Sequence, residues 1–216
     1  MLSFASPYFL KVQNLLNILR QISYTGIIAL GMTFIIISGG IDLSVGSMTA
    51  FVGGMIILTS NHFAGTISGI FIAILVGLLL GTAGGMLNGI IVTKGKISPF
   101  IATLGTMSIF RSLTLYISNA GEFRVVGDYY GKVGSAYFAS IPIPVWLFII
   151  LTVFFQILLN NTRFGRYVCA VGSNEQVANY SAIKVNTVKF IAYAITGFTI
   201  GVTSIMLSSR LNSISS

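Results

Sequence analysis

Four long stretches of this sequence carry no Lys, Arg, Asp or Glu: residues 21–41, 43–93, 133–162 and 190–209. The second runs for 51 residues, from Leu43 to Thr93. A helix needs about 20 apolar residues to cross roughly 30 Å of hydrocarbon, so each gap accommodates at least one crossing. An ordinary soluble domain is about one quarter charged, because its surface faces water. Here 7% of the 216 residues are charged and 55% are hydrophobic, with a mean hydropathy of +0.93. The solvent of such a surface is lipid. Hydrocarbon offers no partner to a free backbone amide, so a spanning segment is either a helix or a strand of a closed barrel. No segment alternates over ten residues as a barrel strand would. The expected fold is therefore all-α: a polytopic transmembrane helix bundle of about six spans. They fall near Ile22–Ser38, Leu43–Ser60, Thr66–Val92, Ile97–Ser118, Ile143–Asn160 and Val188–Ser208.

Ahead of the first span, Phe9, Val12, Leu15, Leu16 and Leu19 share one helical face, while Lys11, Gln13, Asn14 and Arg20 fall mostly elsewhere. Residues 1–21 therefore read as an interfacial amphipathic segment leading into a membrane domain over 22–210. No basic region precedes the first apolar residues and Pro7 interrupts them, so a cleaved signal peptide is not expected.

The formal charge of +8 does not indicate nucleic acid. Its twelve basic residues are scattered singly or in pairs between apolar segments, whereas nucleic-acid binders gather them on one face. Alternating loops place Lys11, Arg20, Arg124, Lys132 and Arg210 on one side, and Lys94, Lys96, Arg163, Arg166, Lys184 and Lys189 on the other. Five against six leaves orientation open under the positive-inside rule, with slightly denser charge in the second set.

In the third span Gly69, Ala73, Gly77, Gly81, Gly85 and Gly89 recur every fourth residue. Such a stripe of missing side chains lets neighbouring backbones approach, the usual means of helix association in lipid. Shorter versions occur at Gly46, Ala50 and Gly54 and at Gly197 and Gly201, and all are expected to serve packing first. Between the first two spans, Gly39-Gly40-Ile41-Asp42-Leu43-Ser44 contains the only acidic residue before Glu122. An ionisable group at membrane depth is a functional candidate. Equally, Asp42 or Ser44 is suited to capping the next helix. Arg111, inside the fourth span, is expected either to snorkel to the interface or to pair within the bundle. The longest polar stretch, residues 161–187, contains Ser173 and Gln176 at capping-box spacing. They predict a short helix that exposes Val177, Ala178 and Tyr180, either as a docking knob or as a solvated connector.

Catalytic apparatus is not written in the sequence. Around Gly95-Lys96 the positions a P-loop requires hold Ile90 and Ile97. One Cys (Cys169) and one His (His62) supply neither a metal set nor a hydrolytic triad. The chain is not expected to be an enzyme, and any energy for uphill transport must come from a partner.

Three ordered blocks resemble the ribose-type permeases of ABC importers. They are Gly31-Met32-Thr33-Phe34-Ile35-Ile36-Ile37-Ser38-Gly39-Gly40-Ile41-Asp42-Leu43-Ser44-Val45-Gly46-Ser47; Asn88-Gly89 with Lys96-Ile97-Ser98-Pro99-Phe100; and Thr162-Arg163-Phe164-Gly165-Arg166 with Ala170-Val171-Gly172-Ser173-Asn174-Glu175. The resemblance implies a monosaccharide permease subunit in a bacterial plasma membrane. It further implies a second permease subunit, ATP-binding cassette subunits that hold the ATP, and an extracytoplasmic sugar-binding protein. By the same resemblance Gly39, Gly40, Asp42, Ser44, Gly46 and Asn88 belong to the translocation path or its gate. Gly165, Arg166, Gly172, Asn174 and Glu175 belong to a cytoplasmic coupling loop. Gly77, Gly81, Gly85 and Gly89 serve helix packing. Ala182 stands where the family usually has Gly, and the family pattern has further spans before Tyr8 and after Arg210. On that comparison the chain reads as a truncated permease. A remnant that inserts without transporting, or an unrelated secondary transporter or channel, are the rival readings.

Overall fold

The computed structural model describes residues 11–127 and 129–215. Six long helices dominate: α1 (Val12–Ile37), α2 (Val45–His62), α3 (Ile67–Thr93), α4 (Pro99–Ile117), α6 (Ile143–Asn161) and α9 (Val185–Leu211). Shorter helices α5 (Gly131–Ser135), α7 (Arg163–Ser173) and α8 (Glu175–Tyr180) lie between them. Five of the six, all but α2, are long and apolar enough to cross a membrane. The 18-residue α2 ends in the polar pair Asn61-His62 but packs inside the same bundle, against α3, α4 and α9. The protein is a multi-pass helical membrane bundle.

Two features depart from the expected boundaries. Helix α1 runs unbroken from Val12, so residues 12–21 continue directly into the first crossing; residues 1–10, including Phe9, lie outside the described residues. Val12, Leu15, Leu19 and Ile22 form its exposed apolar face, whereas Arg20, Tyr24, Ile27 and Gly31 turn inward. The stretch after Thr162 is also more helical than expected, because Thr162 closes one helix and opens the next. Its hydroxyl donates to the Leu158 carbonyl at 2.5 Å and accepts from the Gly165 amide at 3.2 Å.

Helices α3 and α9 form the central contact. A Cβ at Gly81 would stand 2.6 Å from the Gly197 carbonyl oxygen and 2.8 Å from the Gly201 Cα. One at Gly85 would stand 2.8 Å from the Gly197 Cα, and one at Gly197 would meet the Gly81 carbonyl oxygen. The two small-residue stripes therefore touch backbone to backbone. Gly77 instead receives Ile56 of α2, and Gly89 receives Phe190 and Tyr193 of α9. Away from this seam, Phe71, Leu75 and Leu79 of α3 and Ile149, Ile150, Val153 and Ile157 of α6 face outward, as a lipid-covered surface requires.

Four short strands close the loops: β1 (Phe123–Arg124) pairs antiparallel with β4 (Ser213–Ile214), and β2 (Tyr137–Phe138) with β3 (Ile141–Pro142). Phe123 fills the space beside Gly54, and Ile214 that beside Gly53. Tyr130 is fully buried, its hydroxyl 2.7 Å from that of Ser208 and donating to the Ile205 carbonyl at 3.3 Å. These features mark one end of the bundle. The other carries residues 38–44, 94–98 and 162–184.

Candidate translocation gate and coupling segment

Helix α1 ends in a left-handed turn. Gly39 has φ +80°, the Gly39 amide donates to Ile36 and the Gly40 amide to Ile35. That pattern, with a 6→1 bond, satisfies the last carbonyls of the helix and suits glycine, which has no Cβ to clash. Gly40 is required for a different reason: a Cβ there would stand 2.9 Å from Ile35 Cγ2 and 3.3 Å from the Tyr193 hydroxyl. That hydroxyl donates to the Ile41 carbonyl at 2.9 Å. The junction between α1 and α2 is therefore pinned by a residue of α9.

Beside it lies a buried polar cluster. Asp42 is 4% exposed, and Ser44 and Asn88 are fully buried. Asp42 Oδ1 accepts from the Ser44 amide at 2.9 Å and from the Ser44 hydroxyl at 2.6 Å. Asn88 Nδ2, from α3, donates to Asp42 Oδ2 at 3.1 Å and to the Ser44 hydroxyl oxygen at 2.8 Å. Ser44 is the N-cap residue of α2 and its side chain makes no cap bond, whereas Asp42 takes up the free Ser44 amide at the helix start. The carboxylate stops at the Ser44 amide and spends its other oxygen on Asn88, 46 residues along the chain. The Asn88 side-chain oxygen has no partner. Sequence reasoning reached Asp42 as an ionisable group at membrane depth and Asn88 through the motif resemblance; their contact was not legible, because nothing in spacing ties residue 42 to residue 88.

Gly46 does not serve packing. No atom would lie within 4 Å of a Cβ there. With Leu43, Ser47, Ala50, Met107, Arg111 and Ser215 it lines a cleft of about 370 Å³ between α2 and α4. Arg111 is exposed on that cleft and is absent from the described ion pairs, so its charge faces the opening. The Gly46–Ala50 half of the α2 stripe thus lines open space, and only Gly54 packs, against Phe123.

The coupling candidates sit together at the same end. A Cβ at Gly165 would collide with the Leu159 carbonyl, and one at Gly172 with the Ile37 carbonyl. Both glycines therefore let α7 lie flat against its neighbours. Phe164 stacks on Phe34 of α1 at 5.9 Å between centroids. Asn174, not Ser173, caps α8: its Oδ1 accepts from the Val177 amide at 3.0 Å, while the Ser173 hydroxyl donates back to Ala170. Ser173 ends α7 instead. Val177 and Tyr180 are exposed as expected, but Ala178 is buried against the bundle. Arg166 and Asn174 are exposed, and Glu175 pairs with Lys189 of α9 at 2.7 Å.

Residues 14–216 match the family described as branched-chain amino acid transport system / permease component. The chain belongs to that family. It is 42% identical to a ribose import permease protein of Bacillus subtilis and 39% identical to one of Haemophilus influenzae, each over 98% of this chain. It is 34% identical to an L-arabinose transport system permease protein of Escherichia coli over 96% of this chain. The chain spans 65% of the length of the two ribose relatives and 62% of the arabinose one. No solved structure matches. Family membership argues against an unrelated secondary transporter.

Proposed function

We propose that this chain acts as a permease subunit of an ABC-type importer for a pentose such as ribose, in a bacterial plasma membrane. Its partners are a second permease subunit, ATP-binding cassette subunits that bind the ATP, and an extracytoplasmic sugar-binding protein. The observation that carries this reading is the 42% identity to a ribose import permease over 98% of the chain. The buried Asp42–Ser44–Asn88 cluster, next in sequence to the cleft residues Leu43 and Gly46, is consistent with it. In this reading Gly39, Gly40, Asp42, Ser44, Gly46 and Asn88 shape the path or its gate. The exposed face of α7 and α8, with Arg166 and Asn174, receives the ATPase, and Glu175 holds that face to α9.

The test is uptake of labelled ribose by cells that lack their own ribose permease but express this chain with ribose ATPase and binding-protein subunits. Uptake above the empty-vector level supports the reading. Insertion and ATPase association without uptake would favour the non-transporting remnant. Charge reversal of Arg166 together with Glu175→Lys is expected to abolish permease-stimulated ATPase activity. Adding Lys189→Glu restores the ion pair and should not rescue stimulation if the exposed charges contact the ATPase.

A further inference from the structure

At the end of the bundle opposite residues 38–44, a buried guanidinium has no counter-ion among the described residues. Arg20 of α1 is 6% exposed, and its Nε and Nη2 make no hydrogen bond. The Tyr137 ring covers it, its centroid 5.0 Å from Cζ. One turn along α1, Tyr24 is also buried, its hydroxyl approached by the Arg210 guanidinium without a well-formed hydrogen bond. Arg210, in the last turn of α9, lies near enough for its charge to act on that hydroxyl. Two guanidinium groups thus converge on a buried phenol.

The acidic residues of the described structure do not answer them. Of the four in the chain, Glu122 is held by Arg124 at 3.1 Å and Glu175 by Lys189. Asp42 is committed to Ser44 and Asn88 at the other end, and Asp128 lies outside the described residues. Arginine does not shed its proton in proteins. A buried charge left unpaired is costly, so orphan N–H groups in this position call for an acceptor that carries negative charge. Planar guanidinium forks match the oxygens of a phosphate group, and a tyrosine hydroxyl adds a donor. Position narrows the source. On the other face of the same helical turns, Val12, Leu15, Leu19 and Ile22 are exposed and apolar, the surface along which acyl chains lie.

We propose that Arg20, Tyr24 and Arg210 form an anion site that takes a phosphate group at this membrane interface, supplied by a phospholipid headgroup or by the free ion. The proposal is independent of the transport reading.

The full chain purified in maltoside detergent provides the test, by native mass spectrometry with phosphatidylglycerol and with a diacylglycerol of the same acyl chains. The chain should retain the phosphate-bearing lipid and not the diacylglycerol. Arg20→Gln should weaken that retention about tenfold to hundredfold, the loss expected for hydrogen bonds to a charged group. Lys189→Gln, at the opposite end, should leave it unchanged. Inorganic phosphate is titrated in parallel, read by thermal unfolding. An Arg20-dependent rise in melting temperature shows that the free ion suffices; lipid retention without that rise assigns the site to a headgroup. If Arg20→Gln loses helicity by circular dichroism, Arg20→Lys and Arg210→Gln carry the comparison. Retention unaltered in the folded variants, with no phosphate response, overturns the site.

Discussion

Replacement of Asn88 by leucine tests the buried Asp42–Ser44–Asn88 cluster directly. The two side chains branch alike at Cγ, but leucine is the larger, so at this fully buried position some overpacking adds to the loss of polar contacts. Among the described residues the Asn88 Oδ1 has no partner, so the hydrogen-bond loss is limited to the two bonds made by Nδ2. A hydrogen bond to a charged acceptor contributes about 1.5–3 kcal/mol, and one between neutral groups about 0.5–1.5 kcal/mol. Asp42 Oδ2 would then lie buried without its donor, which adds the cost of an unsatisfied charged atom. The removal of a buried amide works in the opposite direction, so the net destabilisation expected is about 2–4 kcal/mol. That range corresponds to roughly 30- to 1000-fold in the unfolding constant. The assay is reversible unfolding of the purified chain in mixed micelles, with dodecyl sulfate as denaturant and circular dichroism as readout. Asn88→Asp provides the contrast: it keeps the shape but sets a second carboxylate 3.1 Å from Asp42 Oδ2, and should destabilise more than leucine. A change below about 0.5 kcal/mol for leucine would refute the reasoning, since it would mean that neither bond contributes. So would an aspartate variant as stable as the native chain.

Three further outcomes are expected. Gly85→Val inserts atoms where a single Cβ already stands 2.8 Å from the Gly197 Cα; α3 and α9 must separate, with a loss of about 1–3 kcal/mol or more, whereas Gly105→Ala, which meets nothing within 4 Å, should be nearly neutral in the same unfolding assay. Gly172→Ala drives a methyl group into the Ile37 carbonyl and should raise proteolytic cleavage within residues 163–184, which the Asn174→Ser variant, keeping a good cap, should not. Hydrogen bonding by Ser213 first, and Arg124 second, holds the Glu122 carboxyl below the ordinary glutamate range. Its folded value is depressed, so its support of the β1–β4 pair is present at neutral pH and is lost as pH falls from the ordinary value through the lowered one. Exchange of the Val125 amide, which donates to Asn212 beside this pair, should accelerate over that window once intrinsic pH effects are removed, and Glu122→Gln should abolish the dependence.

Much of the bundle was legible because lipid imposes a crude requirement that composition reveals. A gap in charge of 20 residues or more can be read without knowing any contact, and the spacing of Gly81 and Gly85 already names the face on which a neighbour must lie. What spacing cannot supply is the identity of that neighbour. Gly46 belongs to the same four-residue repeat as Gly54, yet one faces open space and the other Phe123, a difference set by the path of residues 118–127. The cap of α8 was misplaced for a related reason. Serine and asparagine cap about equally well, so the choice falls to wherever the preceding helix ends, and α7 runs on to Ser173 because Gly172 lets it close against Ile37. Arg20 was grouped with the polar face of an interfacial helix. Continuation of α1 as one unbroken helix buries Arg20 beneath Tyr137 instead, while Lys11 and Gln13 stay exposed, and only the three-dimensional packing reveals it.

The short connection from Ile37 to Val45 draws on more distant elements than its length suggests. Gly172 and Phe164 of α7 press on the last turn of α1. Tyr193 of α9 holds Ile41, and Asn88 of α3 holds Asp42 and Ser44. Glu175, just past α7, grips the same α9 through Lys189. Packed protein interiors transmit displacement because they are dense and have few discrete arrangements. A shift of α7 and α8 relative to α9 would press on the last turn of α1 at Ile37 and Phe34, next to the junction that Tyr193 and Asn88 hold. The exposed segment of residues 163–180 and the buried carboxylate thus bear on the same short connection, the first touching it through close backbone approach at Gly172 and the second held in it by Asn88.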